Sequence, residues 1–176
     1  MGMMGSGKST VGRLLAKRTG WPHADNDELL RELVGKTPRE LLSQDGEVAL
    51  REAESAALRL GIRSPEPAIV GVAGGTILDP DNRRELQSAG LVVWLKAGPA
   101  AVQQRATGAA HRAWLETGGL AWITDAIAER DPLYASVADL TLDVERRSTR
   151  QVARDILVWL RDIAVCRAFL PDADQP

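Results

Sequence analysis

The chain has 176 residues, 44% hydrophobic and 26% charged, the size and balance of one soluble globular domain. A formal net charge of −2 gives no basic footprint for nucleic acid, and no apolar run approaches the roughly 18 residues of a membrane span. The single cysteine, Cys166, can form no internal disulfide, and no signal-peptide pattern opens the chain, so a cytoplasmic location is expected.

Helical and strand patterns alternate from the start, the signature of an α/β fold on a parallel sheet. A glycine-rich loop leads into a helix over 11–19, with Gly20 as its C-cap. A short strand over 21–25 and a helix over 28–34 follow. Thr37-Pro38-Arg39-Glu40 is a capping-box start with proline at the first helical position, and a longer helix occupies 46–60. Residues 68–73 form an apolar run ending in Gly74-Gly75, as a buried central strand does. Asp79-Pro80 opens the next helix, and strands are predicted over 91–97 and 140–144. The last helix carries Val152, Ile156, Trp159, Leu160 and Ile163 on one face. Neither repeats nor a low-complexity linker interrupt the chain, so 1–170 reads as one domain and 171–176 as a loose tail. Cys166 on the apolar side of the late helix, and Trp94 inside a strand, read as core. Neither His23 nor His111 has a partner pattern that suggests catalysis, and there is no Cys/His cluster for zinc.

The chemistry concentrates in three places. Gly2-Met3-Met4-Gly5-Ser6-Gly7-Lys8-Ser9 fits the G-x-x-x-x-G-K-[ST] phosphate loop. Its backbone N–H groups can cradle phosphate oxygens, Lys8 adds a charge at the β- and γ-phosphates, and the Ser9 hydroxyl can ligate Mg²⁺. Asp25-Asn26-Asp27 puts two carboxylates at the C-terminal end of a strand, where α/β sheets form their sites. In an extended segment both would point the same way, one toward the magnesium shell and one toward an attacking hydroxyl. Spacing alone leaves a helix cap equally open. Arg51 lies between Glu47 and Glu54 at helical spacing, so both can hold its guanidinium.

Residues 2–10, Asp25-x-Asp27, Gly46-Glu47-x-x-x-Arg51-x-x-Glu54, Gly74-Gly75 and Arg130-x-Pro132-Leu133-Tyr134 through Ala138-Asp139 follow the order and spacing of shikimate kinases. The chain resembles that family over about residues 1–165. The resemblance implies a three-layer P-loop kinase with strand order 2-3-1-4-5, an acceptor-binding helical segment over 28–60 and a LID over 108–119. It implies ATP and Mg²⁺ as cofactors, shikimate as the acceptor, and a monomer without nucleic-acid or membrane partners. Gly5, Ser6, Gly7, Lys8, Ser9 and Thr10 then serve the nucleotide, Arg105 lies against the adenine, and Arg112 closes on the transferring phosphate. Asp25 supports the magnesium through water, and Asp27 orients and activates the accepting hydroxyl. Arg51, Arg130, Gly74 and Gly75 form the pocket for the acceptor's carboxylate and hydroxyls, two guanidinium forks on one carboxylate.

The chain departs from the family at four points. The triple glycine reads Ala73-Gly74-Gly75, the LID motif reads Arg112-Ala113-Trp114-Leu115, and the phenylalanine before the substrate arginine is Leu50. Trp114 reads as lid packing. The fourth departure is that the loop normally leaves a buried strand, yet Met1 is already that strand's last position. Such a strand buries apolar area comparable to a domain's net stability, so a start further upstream is expected. The first three changes surround the acceptor, and they keep open a kinase for another hydroxylated acid such as gluconate. The missing strand keeps open a weakly catalytic nucleotide-binding relative.

Overall fold

The computed structural model describes residues 1–64, 66–105 and 112–163, with the helical backbone alone for 112–118. Four strands and seven helices alternate among these residues: α1 (Lys8–Thr19), β1 (His23–Asp25), α2 (Asn26–Val34), α3 (Pro38–Ile62), β2 (Ile69–Gly71), α4 (Pro80–Ala89), β3 (Val93–Lys96), α5 (Pro99–Arg105), α6 (Arg112–Val137), β4 (Leu140–Asp143) and α7 (Thr149–Asp162). A 3-10 turn, Thr76–Leu78, joins β2 to α4. No helix among the described residues is long and apolar enough to cross a membrane.

The strands form two parallel pairs, β1 with β2 (Ala24 opposite Val70) and β3 with β4 (Leu95 opposite Leu142). No strand precedes the glycine loop among the described residues. Met1 N–H donates to Val93 O at 2.8 Å, and Leu95 N–H donates to Met1 O at 3.0 Å, the spacing of a residue paired alongside β3. From there a groove of about 380 Å³ runs between Val70 of β2 and Val93 of β3, lined also by Val11, Leu15, Leu86 and Ile156. Helices α1 and α7 pack on each other, as do α3 and α4.

Local chemistry explains where the elements start. Gly7 takes a left-handed conformation (φ 94°) and turns the loop straight into α1, which therefore begins three residues before the apolar periodicity does. The Asp25 side chain accepts from Asp27 N and caps α2, so that helix begins at Asn26 and not at residue 28. The Thr37/Glu40 capping box forms as the sequence predicts. The helix it opens continues to Ile62, with one non-helical residue, Gly46 (φ 87°, ψ 179°). The sequence pattern missed α5 and α6. In α6, Pro132 and the break at Gly119 (φ 53°) interrupt the periodicity that would announce a helix.

The main core joins α1, β3, α6 and α7 through Met3, Val11, Trp94, Ile123, Tyr134 and Val152, with the Trp94 and Tyr134 rings stacked at 5.5 Å. A second cluster, Leu30, Leu41, Leu50, Ala53 and Ala57, packs α2 on α3. Trp94 is core, as expected, while Cys166 and the tail lie outside the described residues. Leu58 on α3 is 1% exposed, so Leu58→Ala should cost about 2–5 kcal/mol in urea denaturation. A loss under about 1 kcal/mol would contradict this packing.

Candidate active site

A cavity of about 390 Å³ opens at the C-terminal ends of β1 and β2, over the glycine loop. Beside the loop Lys8 Nζ donates to Gly2 O at 2.9 Å and Met3 O at 3.0 Å, bending the lysine back over its own loop. Desolvation pushes the Lys8 ammonium below its ordinary value, against the opposing pull of Asp27, Asp25 and Glu54. Ser9 Oγ donates to Asp25 Oδ2 at 2.6 Å, so a hydroxyl and a carboxylate meet beside the loop. Gly5, Gly7 and Thr10 line the same cavity, whereas Ser6 is buried beneath it with its Oγ unpartnered. Arg105 closes the far side, its Nη2 donating to Val144 O at 3.1 Å and Glu145 O at 3.2 Å.

The two aspartates do not share an extended segment, a correction to the sequence reading. Asp25 ends β1 and Asp27 lies in the first turn of α2, because Asp25 Oδ1 caps that helix by accepting from Asp27 N at 3.1 Å. Both carboxylates still line the cavity. The cap and the site are therefore the same residue, Asp25, with one oxygen for each.

At the opposite end Arg51 Nη1 donates to Glu54 at 2.7 Å and Nη2 to Glu47 at 2.9 Å, the clamp its spacing predicts. Burial acts to lower the Arg51 value, but Glu54 and Glu47 carry it above its ordinary one. Burial pushes Glu54 up, with Arg51 opposing. A Cβ on Gly75 would stand 1.8 Å from Arg51 Nη1, so this arginine can lie across the loop only because residue 75 has no side chain. Gly74 O accepts from Tyr134 Oη at 2.7 Å. Arg130 reaches the cavity from α6 and is 6% exposed. Ala73 and Leu50, two departures from the family pattern, also line the wall.

Asn26, Tyr134, Met3 and Trp122 take parts in the site that the sequence reading did not assign, although the first three stand inside motifs it quoted. Asn26 is 2% exposed; its Nδ2 donates to Glu54 O at 3.1 Å and its Oδ1 accepts from Ala73 N at 3.4 Å, tying α2, α3 and the glycine turn together. An amide between two aspartates was the available signal for it, and the chain's single tyrosine was the signal for Tyr134. The sulfur contacts of Met3 with Arg130 and Tyr134 span more than 120 positions, beyond any local pattern, whereas Trp122 stands eight residues before Arg130 on α6, a helix the sequence pattern did not show. Arg112, Trp114 and His111, with most of the 108–119 segment, lie outside what the structure describes of side chains.

A glycine phosphate loop on a parallel α/β fold, opening into one cavity with paired carboxylates and two arginines, defines a P-loop kinase of small molecules. The family model described as shikimate kinase matches residues 4–161. The chain belongs to the shikimate kinase family. It is 34% identical to the shikimate kinase of Symbiobacterium thermophilum over 165 residues, 92% of this chain and 94% of that one. A solved shikimate kinase from Acinetobacter baumannii in complex with shikimate matches with a TM-score of 0.86 at 30% identity, covering 93% of this chain and 92% of that chain. A gluconokinase from Sinorhizobium meliloti, 22% identical with a TM-score of 0.65 over 96% of this chain and 93% of its own, shares the fold alone.

Two measurements probe this geometry. Because Lys8 must be charged to meet phosphate and desolvation lowers its value, kcat/KM for ATP should fall on the alkaline side below the ordinary lysine range. A profile flat through that range would contradict the desolvated lysine. Gly75→Ala should displace Arg51 and raise the acceptor KM at least tenfold with the ATP KM unchanged, in steady-state kinetics. An unaltered acceptor KM would show that Arg51 does not depend on this contact.

Proposed function

We propose that this chain transfers the γ-phosphoryl group of ATP to a hydroxyl of shikimate, giving shikimate 3-phosphate for aromatic amino acid biosynthesis. The observation that carries the reading is that one cavity holds Lys8 at one end and Asp27, Arg51 and Arg130 at the other. Membership of the family and the likeness to a relative solved with shikimate support it.

The roles follow from charge and reach. Lys8 and the N–H groups of residues 5–10, at the N-terminus of α1, neutralise the phosphates and hold the γ-group at the cavity mouth. Asp27 accepts the proton of the attacking hydroxyl, while Arg51 and Arg130 fix the acceptor's carboxylate so that this hydroxyl faces the phosphate. Gly74 and Gly75 offer backbone to the ring hydroxyls. Arg105 lies against the adenine, and the family resemblance gives Arg112 the role of meeting the transferring phosphate. The α2 and α3 region within 28–60 acts as the acceptor-binding unit of a one-domain chain that works as a cytoplasmic monomer.

Among the described residues no cluster of three or more His, Cys, Asp or Glu could hold a metal by protein ligands alone. Mg²⁺ needs no such cluster, since it takes one or two protein oxygens and completes its shell with phosphate and water. Ser9 Oγ and Asp25 Oδ2, 2.6 Å apart, fit that role, Ser9 directly and Asp25 through water. When bound, Mg²⁺ supplies charge neutralisation at the β- and γ-phosphates.

The test is ADP release from Mg·ATP with shikimate, with gluconate and no acceptor as parallel controls. Shikimate-dependent release is expected, and release with gluconate alone would overturn the acceptor. Lys8→Ala and Asp27→Asn should each lower kcat by at least about a hundredfold, whereas Arg51→Ala should chiefly raise the acceptor KM. An unchanged acceptor KM in Arg51→Ala would overturn its assignment.

A further inference from the structure

The two arginines at the acceptor end are held in opposite ways. Arg51 is answered by two carboxylates, Glu54 and Glu47. Arg130 has no ion pair among the described residues, although it is 6% exposed. Its Nη1 meets Met3 Sδ at 3.9 Å, its Cζ lies 5.7 Å from the centre of the Trp122 ring, and its buried Nε has no hydrogen-bond partner. A thioether and an indole face are soft, polarisable surfaces without formal charge, so they orient a guanidinium and leave its charge in place. Burial accordingly pushes the Arg130 value down, the behaviour of a cation without a close counter-charge.

Met3 has a second contact that bears on the site. Its carbonyl accepts from Lys8 Nζ at 3.0 Å while its sulfur faces both Arg130 and, at 4.0 Å, Tyr134 Oη. One residue of the phosphate loop thus touches the cation of the donor end and the cation of the acceptor end.

We propose that Met3 and Trp122 are positioning residues for the acceptor's anionic group: they aim the Arg130 guanidinium into the cavity and keep it free of any protein carboxylate. The bound acceptor's carboxylate then supplies the missing counter-charge, and preference for charged over neutral acceptors originates at Arg130 more than at Arg51. A carboxylate at either position would neutralise Arg130 and have to be displaced by each incoming acceptor. This inference rests on the acceptor assignment of the preceding section.

The experiment compares Trp122→Leu, Trp122→Phe and Met3→Leu with the unaltered chain, using shikimate and its uncharged methyl ester as acceptors. Shikimate binding is measured separately by calorimetry, without turnover. Loss of the ring face in Trp122→Leu should raise the shikimate KM about 3- to 30-fold and leave the ATP KM unchanged. Trp122→Phe, which keeps a ring face, should restore most of that loss, and Met3→Leu should give about a 2- to 5-fold rise. The preference for shikimate over the ester should shrink in Trp122→Leu by the same factor as its KM rises. Equal losses for acid and ester, or an unchanged shikimate KM in both leucine variants, would overturn the proposal alone. An unaltered chain that neither binds nor phosphorylates shikimate would overturn the acceptor assignment and this proposal with it.

Discussion

The site hangs from the fold of the phosphate loop on itself, fastened by Lys8 Nζ to the carbonyls of Gly2 and Met3. That tie holds the ammonium over its own loop at the N-terminus of α1, where helix geometry favours anions. It also fixes Met3, whose side chain is 2% exposed in the main core and reaches α6. The loop therefore both holds Lys8 and forms part of the wall that seats Arg130. On its other flank Ser9 is joined to Asp25, which in turn sets the start of α2 and the place of Asp27. A helix cap, a hydrogen bond to the Ser9 hydroxyl and the place of Asp27 beside the cavity all depend on one carboxylate.

The acceptor end is held by buried amides. Asn26 joins the α3 backbone at Glu54 to Ala73, and Asn82 Nδ2 donates both to Ser55 Oγ at 2.8 Å and to Thr76 O at 3.1 Å. Ser55 Oγ donates onward to Arg51 O at 2.8 Å. The stretch of α3 that carries Arg51 and Glu54 is thus fastened to both ends of the turn that carries Gly74 and Gly75. Buried polar ties of this sort specify one arrangement, since any slip would strand an unpaired donor in low dielectric. Such precision suits a pocket in which Arg51 passes over Gly75 with no room for a methyl group.

What could be read from sequence was whatever acts over short spacing. The phosphate loop, the Thr37/Glu40 cap and the Glu47–Arg51–Glu54 clamp are all made by neighbours within one or two helical turns, so residue type and interval reveal them. Asp25 and Asp27 were legible as a pair but not in geometry, because capping bends the chain where an extended segment was expected. The contacts of Arg130 with Met3 span 127 positions, and those of Tyr134 with Gly74 span 60, so no local pattern contains them. Helix α6 was hidden by its own proline and glycine, and it stands because Ile123, Ala126, Tyr134 and Val137 are buried against the core.

Direct transfer between the two ends of one cavity is open to a kinetic test. The most direct measurement is a single turnover with enzyme in excess over γ-labelled ATP in the presence of Mg²⁺ and shikimate, following the label by chromatography. The label is expected to pass to shikimate 3-phosphate at the rate at which ATP disappears. Label released as inorganic phosphate at that rate, with none on shikimate, would contradict it.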